Sequence, residues 1–524
     1  MVVPAYNAGP YLERCLQSLL EQTLDRSRYD VIVVDDGSTD GTGERLDRAA
    51  REHPGLIRVE HIANSGWPGR PRNLGTDLST REYVFYCDAD DWLLPDALRI
   101  MLDRAITDNA DIVLVRPVGN RRAVPQALYE SGDYCTSWRE TPGVFGTLTC
   151  QRAFRREFLR EQDVRFAEGR VRLEDYLFMT KAYLRSERIS IVGSQPCYVF
   201  ERRDDGANLT SSTSATEDEY FDSVEKIIDI VLAETEPGPQ QDVALDRVVR
   251  SEVIGPLSRP PLLRKPPEVQ AEALAHGRRL LATKVPASAV ARLDVLTRHR
   301  ARLVERGDLA AITRQIESDE AVTLSAFITE VSWEDTRLQV GLALAMERGD
   351  EVVYLERDGD TLIRPRPSAD DEPVDVTTTF ARSGGRVHLR SRDHSEEWRV
   401  AVTVQAAAED AAAGQPLQWS GTVSIDPLTA AGGKPLRPGV WDVLIAFGSC
   451  GYSRTARPRL PEGRDEVEPP TVVQAGRRMR PYWTQKATLA LSMRVAAPAA
   501  RPAPAKPRSE KTTVTTSSSR TMRR

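Results

Sequence analysis

The sequence predicts three structural regions in series: an α/β domain built on a parallel sheet, a helical linker and an all-β sandwich. Strand-like and helix-like apolar patterns alternate through residues 1–100, and several of the strands end in acids or glycines, which carries the α/β assignment. The change from helical to alternating periodicity at Thr323 carries the sandwich. At 524 residues the chain exceeds the roughly 250–300 at which a single core stops growing, so more than one domain is expected.

The chain opens on strand-like Val2-Val3, which breaks into the loop Pro4-Ala5-Tyr6-Asn7-Ala8-Gly9. Apolar residues at Leu12, Cys15, Leu16, Leu19 and Leu20 recur at helical spacing. Tyr29 to Val34 is a second buried strand, and it closes a βαβ unit. It runs into Asp35-Asp36-Gly37-Ser38-Thr39-Asp40-Gly41-Thr42, with a helix from Gly43 to Glu52. Open α/β sheets bind ligands at such strand ends, although the glycines also suit an ordinary turn. Leu56 to Val59 is a third strand, leading to Asn64-Ser65-Gly66 and then to Arg72-Asn73-Leu74-Gly75, where a helix begins. A guanidinium near a helix start opposes the dipole, so Arg72 calls for an anionic or planar partner, or forms a surface salt bridge.

The apolar run Tyr83 to Cys87 reads as a fourth strand and ends in Asp88-Ala89-Asp90-Asp91. Side-chain alternation sends Asp88 and Asp90 the same way off the strand end. Two acids so placed suit an oxygen-liganded cation of the Mg²⁺ or Mn²⁺ type. The alternative is that Asp91 caps a helix begun at Trp92 and its neighbours are solvated.

Short strands and loops follow from Asp111, and the charged, aromatic stretch Gln126 to Phe145 is expected to line an acceptor side. Phe154 to Phe158 looks helical. Glu174-Asp175 precedes an amphipathic helix from Tyr176 to Arg185, and Ile189 to Val192 and Tyr198 to Phe200 close the domain as strands. Taken alone, the two acids could simply complement a helix dipole.

A net charge of −6 argues against a nucleic-acid partner. Cys15, Cys87, Cys135, Cys150, Cys197 and Cys450 form no CxxC pair, so reduced core residues are expected. No window approaches the ~20 apolar residues of a membrane span, and no signal peptide is evident, so the cytoplasm is the expected location. The opening strand is short for a buried parallel strand.

The ordered series Pro4-x-Tyr6-Asn7, Asp35-Asp36-Gly37-Ser38-Thr39-Asp40, Asn64-x-Gly66, Arg72-Asn73-x-Gly75 and Asp88-x-Asp90-Asp91 resembles the family 2 glycosyltransferases over about residues 1–210. The resemblance implies the GT-A fold, a Rossmann-like nucleotide-diphospho-sugar transferase domain, and inverting, metal-dependent transfer from a nucleotide-activated sugar. It implies that Pro4, Tyr6, Asp36, Asn64 and Arg72 hold the nucleoside, with uridine expected. It also implies that Asp88 meets the ribose and metal, and that Asp90 coordinates Mn²⁺ or Mg²⁺ at the diphosphate. Glu174-Asp175 matches the family's Glu-Asp motif, which makes Asp175 the general base and Glu174 its orienting or acceptor-binding neighbour. Related enzymes carry a basic residue on a closing segment after the last strand. Arg202 and Arg203 both qualify, and Asn208-Leu209-Thr210 lies in the same segment.

The domains are expected at 1–214 (transferase), 215–318 (helical linker), 319–495 (β-sandwich) and 496–524 (disordered basic tail). Helices are predicted over 217–234, 241–256, 268–283 and 287–306, and Tyr482 to Met493 as the last strand. The layout, with Pro438-Gly439-Val440-Trp441-Asp442-Val443, resembles the polyribitol-phosphate teichoic-acid glycosyltransferases of Gram-positive bacteria. That resemblance implies a polymeric cell-envelope acceptor and an immunoglobulin-like carboxyl-terminal half that assembles copies of the chain, with a trimer possible. The rivals are a same-fold transferase with a protein or lipid-linked acceptor, and a non-catalytic carbohydrate-binding scaffold; intact Asp36, Asp88, Asp90 and Asp175 argue against the scaffold. Trp333, Trp398, Trp419 and Trp441 suit either a core or a sugar platform. The tail suits either contact with anionic lipid at the inner membrane face or a solubilising end.

Overall fold

The computed structural model describes residues 1–496 except 121, 123, 206–215, 394–395, 410–413, 432 and 462–469. Asn208-Leu209-Thr210, His394 and the tail beyond Ala496 therefore lie outside the described residues.

β1 (Val2–Ala5), α1 (Tyr11–Leu20), β2 (Val31–Asp35), α2 (Thr42–Glu52), β3 (Ile57–His61), α3 (Gly69–Leu78) and β4 (Tyr83–Phe85) alternate along the chain. β1 pairs in parallel with β2, and β2 with β3. A parallel bridge from Val2 to Tyr86 puts β4 on the other side of β1. The winding direction thus reverses beside β1, which opens a crevice at the carboxyl ends of the strands. Every residue of β2 is buried, as a strand covered on both faces requires. Helix α3 packs so closely on β1 that a Cβ at Gly75 would fall 2.4 Å from Val2 Cγ1.

β5 (Trp92–Leu93), α4 (Ala97–Asp108), β6 (Ile112–Asn120), β7 (Tyr134–Thr136), β8 (Ala153–Arg155), α5 (Arg156–Glu161), α6 (Glu174–Arg185) and β9 (Ile189–Glu201) complete this region. The sheet order is β4-β8-β6-β9-β5, with β7 against β9. Three expectations change here. Trp92 opens no helix: it pairs with Val199 in the sheet, and the helix starts at Ala97. Phe154 lies in β8 between Val84 and Ile112, so sheet packing overrides its helical pattern. The two expected closing strands are one, β9. The Gln126 to Phe145 stretch turns Tyr129, Trp138, Val144 and Phe145 into the core, with Phe145 edge-on to Tyr183 of α6.

The linker comprises α7 (Glu217–Glu234), α8 (Pro239–Val248), α9 (Pro267–Thr283), α10 (Ala287–Arg292), α11 (Val295–Arg306) and α12 (Leu309–Glu320). A capping box between Thr216 and Glu219 starts α7. The helix expected over 287–306 is broken at Leu293-Asp294, where Asp294 caps α11. Phe178 and Tyr183 of α6 share one apolar core with Ile227, Leu245 and Val253, so linker and transferase region pack as one body.

Beyond the linker the chain is β-rich, with one short helix at Thr377–Ala381. Strands Val322–Glu334, Arg337–Arg348, Gln418–Ile425, Glu397–Ala406, Gly384–Ser391, Gly439–Ser449, Leu489–Val495, Arg477–Trp483 and Val472–Gln474 lie side by side in that order. Glu397–Ala406 pairs with Gly384–Ser391 along its first half and with Gln418–Ile425 along its second, so one strand joins the two halves of the sheet. The expected last strand is a hairpin, turning between Trp483 and Leu489. Trp398, Trp419 and Trp441 are buried in this region's own core, which removes them as a sugar platform. Trp333 is partly buried, and its Nε1–H donates to Pro470 O at 2.8 Å. The six cysteines are free thiols, five of them buried.

The β region rests on the transferase region. Arg116 of β6 lies 3.7 Å over the Trp398 ring and donates to Glu397 O at 3.2 Å. Arg386 meets Glu130 at 2.9 Å beside it.

Candidate active site

The loops after β1 and β2 interlock. Asn7 N–H donates to Ser38 Oγ at 3.0 Å, Thr39 N–H to Asn7 Oδ1 at 2.8 Å, and Gly9 N–H to Asp40 Oδ2 at 3.0 Å. Gly37 sits at φ +72°, where a Cβ would come 2.8 Å from Asn64 N, so glycine is needed for the β2 and β3 ends to meet. Asp36 is buried, and both its oxygens accept from Ser65, from N–H at 2.8 Å and from Oγ–H at 2.9 Å. Asp36 therefore shapes the loop that carries Asn64. Tyr6, 52% exposed, and Asn64 stand open at the mouth, while Pro4 is half-buried within β1.

Arg72 joins the two acidic motifs. It is 3% exposed, with Nη2 2.9 Å from Asp88 Oδ1 and Nη1 2.8 Å from Asp175 Oδ1 and 3.2 Å from Glu174 Oε1. Burial alone would lower its pKa, but Asp175, Asp88 and Glu174 raise it, so the guanidinium stays charged. The anionic partner that its place in α3 called for is thus internal.

Asp88 also accepts from Gln151 Nε2 at 2.7 Å. Its N–H donates to the Tyr198 hydroxyl, which donates in turn to Asp91 Oδ2 at 2.7 Å. Asp91 is buried and takes the Glu201 N–H on its other oxygen at 2.7 Å, so it ties β9 to this loop and is neither solvated nor a helix cap. Burial first, and then the charge of Asp88, push Asp90 up to about 6, with Arg203 and Arg122 pulling the other way.

Carboxylate oxygens of Asp88, Asp90 and Asp91 lie within 4.8 Å of one another. Such crowding of like charges fits a divalent cation, and the hard oxygen set suits Mg²⁺ or Mn²⁺. Asp91 is committed to Tyr198 and Glu201, which leaves Asp90 and Asp88 as the residues to hold it.

On the other side, Glu174 accepts from Trp67 Nε1–H at 3.0 Å. Burial, and then the adjacent Asp175 charge, push it up to about 7. Asp175 is the more open of the pair, with its side chain 21% exposed against 11%. The geometry also separates the two arginines. Arg203 folds back over the Tyr11 ring at 5.0 Å and pairs with Asp205, whereas Arg202 is exposed.

Trp67, Gln151 and Tyr198 escaped the sequence reading. Only Trp67 carried a signal, standing just before the Pro68-Gly69 helix start.

An open parallel sheet whose strand ends gather paired acids around one buried arginine defines a ligand-binding crevice of the kind α/β nucleotide-binding domains use. Residues 1–161 match the family model "Glycosyl transferase family 2", and residues 217–316 match "Glycosyl transferase TarS linker domain". The poly(ribitol-phosphate) beta-glucosyltransferase of Bacillus spizizenii is 30% identical over 234 residues, 44% of this chain and 36% of that protein. The poly(ribitol-phosphate) beta-N-acetylglucosaminyltransferase TarS of Staphylococcus aureus is 31% identical over 222 residues, 42% of this chain and 38% of that one. The chain thus spans little more than a third of the length of these relatives. Among solved structures, S. aureus TarS 1-349 in complex with UDP-GlcNAc has a TM-score of 0.54 at 23% identity, over 67% of this chain and 96% of that one. S. aureus TarS has a TM-score of 0.51 at 19% identity, over 95% and 85%. At these identities the structures establish a shared fold.

Proposed function

We propose that this chain is an inverting, metal-dependent glycosyltransferase that moves a hexosyl or N-acetylhexosaminyl group from a UDP-sugar to a hydroxyl of a poly(ribitol-phosphate) wall polymer. One observation carries the reading: a single guanidinium, Arg72, holds Asp88 on the leaving-group side and Asp175 on the acceptor side. The names of the relatives supply the acceptor class, and the UDP-GlcNAc complex of TarS supports uridine.

In this reading Pro4, Tyr6, Asp36 and Asn64 form the nucleoside site, and Asp90 with Asp88 holds Mn²⁺ or Mg²⁺. When bound, the cation offsets charge on the departing diphosphate. The acceptor hydroxyl attacks the anomeric carbon opposite the leaving group, and Asp175 takes its proton. Arg72 and Glu174 fix the direction of that carboxylate. Arg202 or Arg203 is read as the basic residue for the diphosphate, and Arg203 is favoured because its charge acts on Asp90.

The β region is read as an immunoglobulin-like assembly module, trimeric if it follows the teichoic-acid enzymes. Support comes from Val473 and Val495, exposed by 62% and 70% at one end of the sheet. No helix among the described residues is long and apolar enough to cross a membrane. Any contact with the inner membrane face is peripheral, through the basic tail.

The test is hydrolysis and transfer with a panel of UDP-, GDP- and CDP-sugars plus Mn²⁺ or Mg²⁺, with the product anomer read by NMR. A UDP-sugar consumed with inversion is expected. Turnover of GDP- or CDP-sugars alone, or retention at the anomeric carbon, defeats the reading.

A further inference from the structure

We infer that the linker completes the active site: Arg247, in α8, is a positioning residue for Asp175, acting through the Tyr176 hydroxyl. The inference rests on the reading of Asp175 as base. Helix α6 begins after Leu173, which sits at φ +57°, ψ +32°, in the left-handed region that branched side chains avoid. Such a turn persists only where its surroundings over-determine it. From one side, Arg72 and Trp67 hold Glu174 and Asp175.

From the other side, Arg247 Nη2 donates to the Tyr176 hydroxyl at 3.1 Å, and Nη1 donates to Glu252 Oε1 at 3.0 Å. The Tyr220 hydroxyl donates to Glu252 Oε2 at 2.7 Å. Glu252 is buried and lies in the π-helical turn Val249–Ile254 that continues α8. Turns of that kind recur at functional sites. A cavity of about 10 Å³ beside Tyr176 and Arg247 leaves room for one water at most, so solvent does not replace these bonds.

Stability alone gives no reason for this network. Glu252 is buried but Arg247 is about a quarter exposed, and an ion pair open to solvent on one side adds little to stability. A planar fork that donates in two fixed directions supplies orientation instead, here at the residue after the base. The first turn of α6 is thereby clamped between α3 of the transferase region and α8 of the linker.

The experiment uses the full chain with saturating UDP-sugar and poly(ribitol phosphate), comparing Tyr176→Phe, Arg247→Met, their double variant and Arg247→Lys. Tyr176→Phe keeps the ring and its packing, so it tests the hydroxyl without removing the core. Each single variant is expected to lose about 10-fold or more in kcat, the scale of a sub-ångström misplacement, with donor Kd unchanged. The double variant should be no worse than the poorer single, and Arg247→Lys should recover part of the loss. Normal kcat in both singles overturns the inference. So do additive losses in the double, or a fall in kcat that only tracks lowered donor affinity and unfolding midpoint. Asp175→Asn is assayed alongside. If it turns over normally the base assignment fails, whereas an inactive Asp175→Asn beside normal linker variants defeats this inference alone.

Discussion

Arg72 and Asp175 lie 103 positions apart in sequence and 2.8 Å apart in space, joined by a charge-assisted hydrogen bond. The other nitrogen of the same guanidinium reaches Asp88. Removing the cation would strand three carboxylates, because Asp88, Glu174 and Asp175 share it. Arg72→Met is therefore expected to destabilise the protein by about 3–5 kcal/mol, as broken buried pairs do. Arg72→Lys should keep much of that stability yet lose kcat by at least ~10²-fold, since one ammonium cannot span both sides. Urea unfolding and transfer assays on the two variants check this, and a fully active lysine variant would refute the bridging role.

Asp90 is the first of the two acids proposed to hold the cation. Asp90→Asn is expected to abolish transfer and to remove the response to added Mn²⁺ or Mg²⁺, while circular dichroism stays that of the parent. Excess EDTA should silence the parent protein, and either ion should restore it. Full activity in EDTA excludes the metal assignment.

Asp175→Asn retains an oxygen that can accept from Arg72 but cannot take a proton. A fall in kcat of roughly 10²–10⁴-fold is expected, with donor binding by calorimetry nearly unchanged. Lost donor binding would move Asp175 to a different role.

Glu174 makes stability depend on pH. Its carboxyl is raised from 4.5 to about 7 by burial and by Asp175. Between those values the folded protein holds a proton that the unfolded chain has released, so stability from this group falls as pH rises through the window and is level above it. Glu174→Gln does not titrate. Relative to the parent, its urea midpoint should therefore rise between pH 5 and pH 8, and an unchanged difference would show that the shift is absent.

The sequence displayed what is local. The βα alternation, the acids at strand ends and the helix α7 over 217–234 all follow from periodicity and short-range chemistry, and the structure places them accordingly. Contacts between distant segments were not legible. Glu174 reaches Trp67 across 107 positions, and Gln151 reaches Asp88 across 63. Trp92 misled because Asp91 and Pro95 are also the marks of a helix start; only pairing with Val199 decides for a strand. The internal use of Arg72 was hidden for the same reason. A guanidinium near a helix start calls for an anion, and the sequence cannot say whether protein or ligand supplies it.

Apart from Leu296 of α11, which packs into it, the core of the β region is distinct from the one that unites transferase region and linker, so a chain ending near Glu317 should fold. Every residue assigned to nucleotide, cation and proton transfer lies before that point, and the shortened chain is expected to keep donor hydrolysis. It should run at smaller mass in light scattering and lose activity most on long polymeric acceptors, where linked sites raise effective concentration. The cut also uncovers Arg116, whose pKa is lowered to about 10 by burial and by Arg399 of the β region itself. Trp398→Ala in the full chain removes that contact together with a buried ring of the β core. A buried cation–π pair is worth about 2 kcal/mol, so the variant should loosen the two bodies and speed proteolysis between them. Donor hydrolysis should persist, because Arg116 touches none of the acids. A shortened chain that folds yet hydrolyses no donor, beside an equally inactive Trp398→Ala, would show that the β region holds β6 and β9 in their working position.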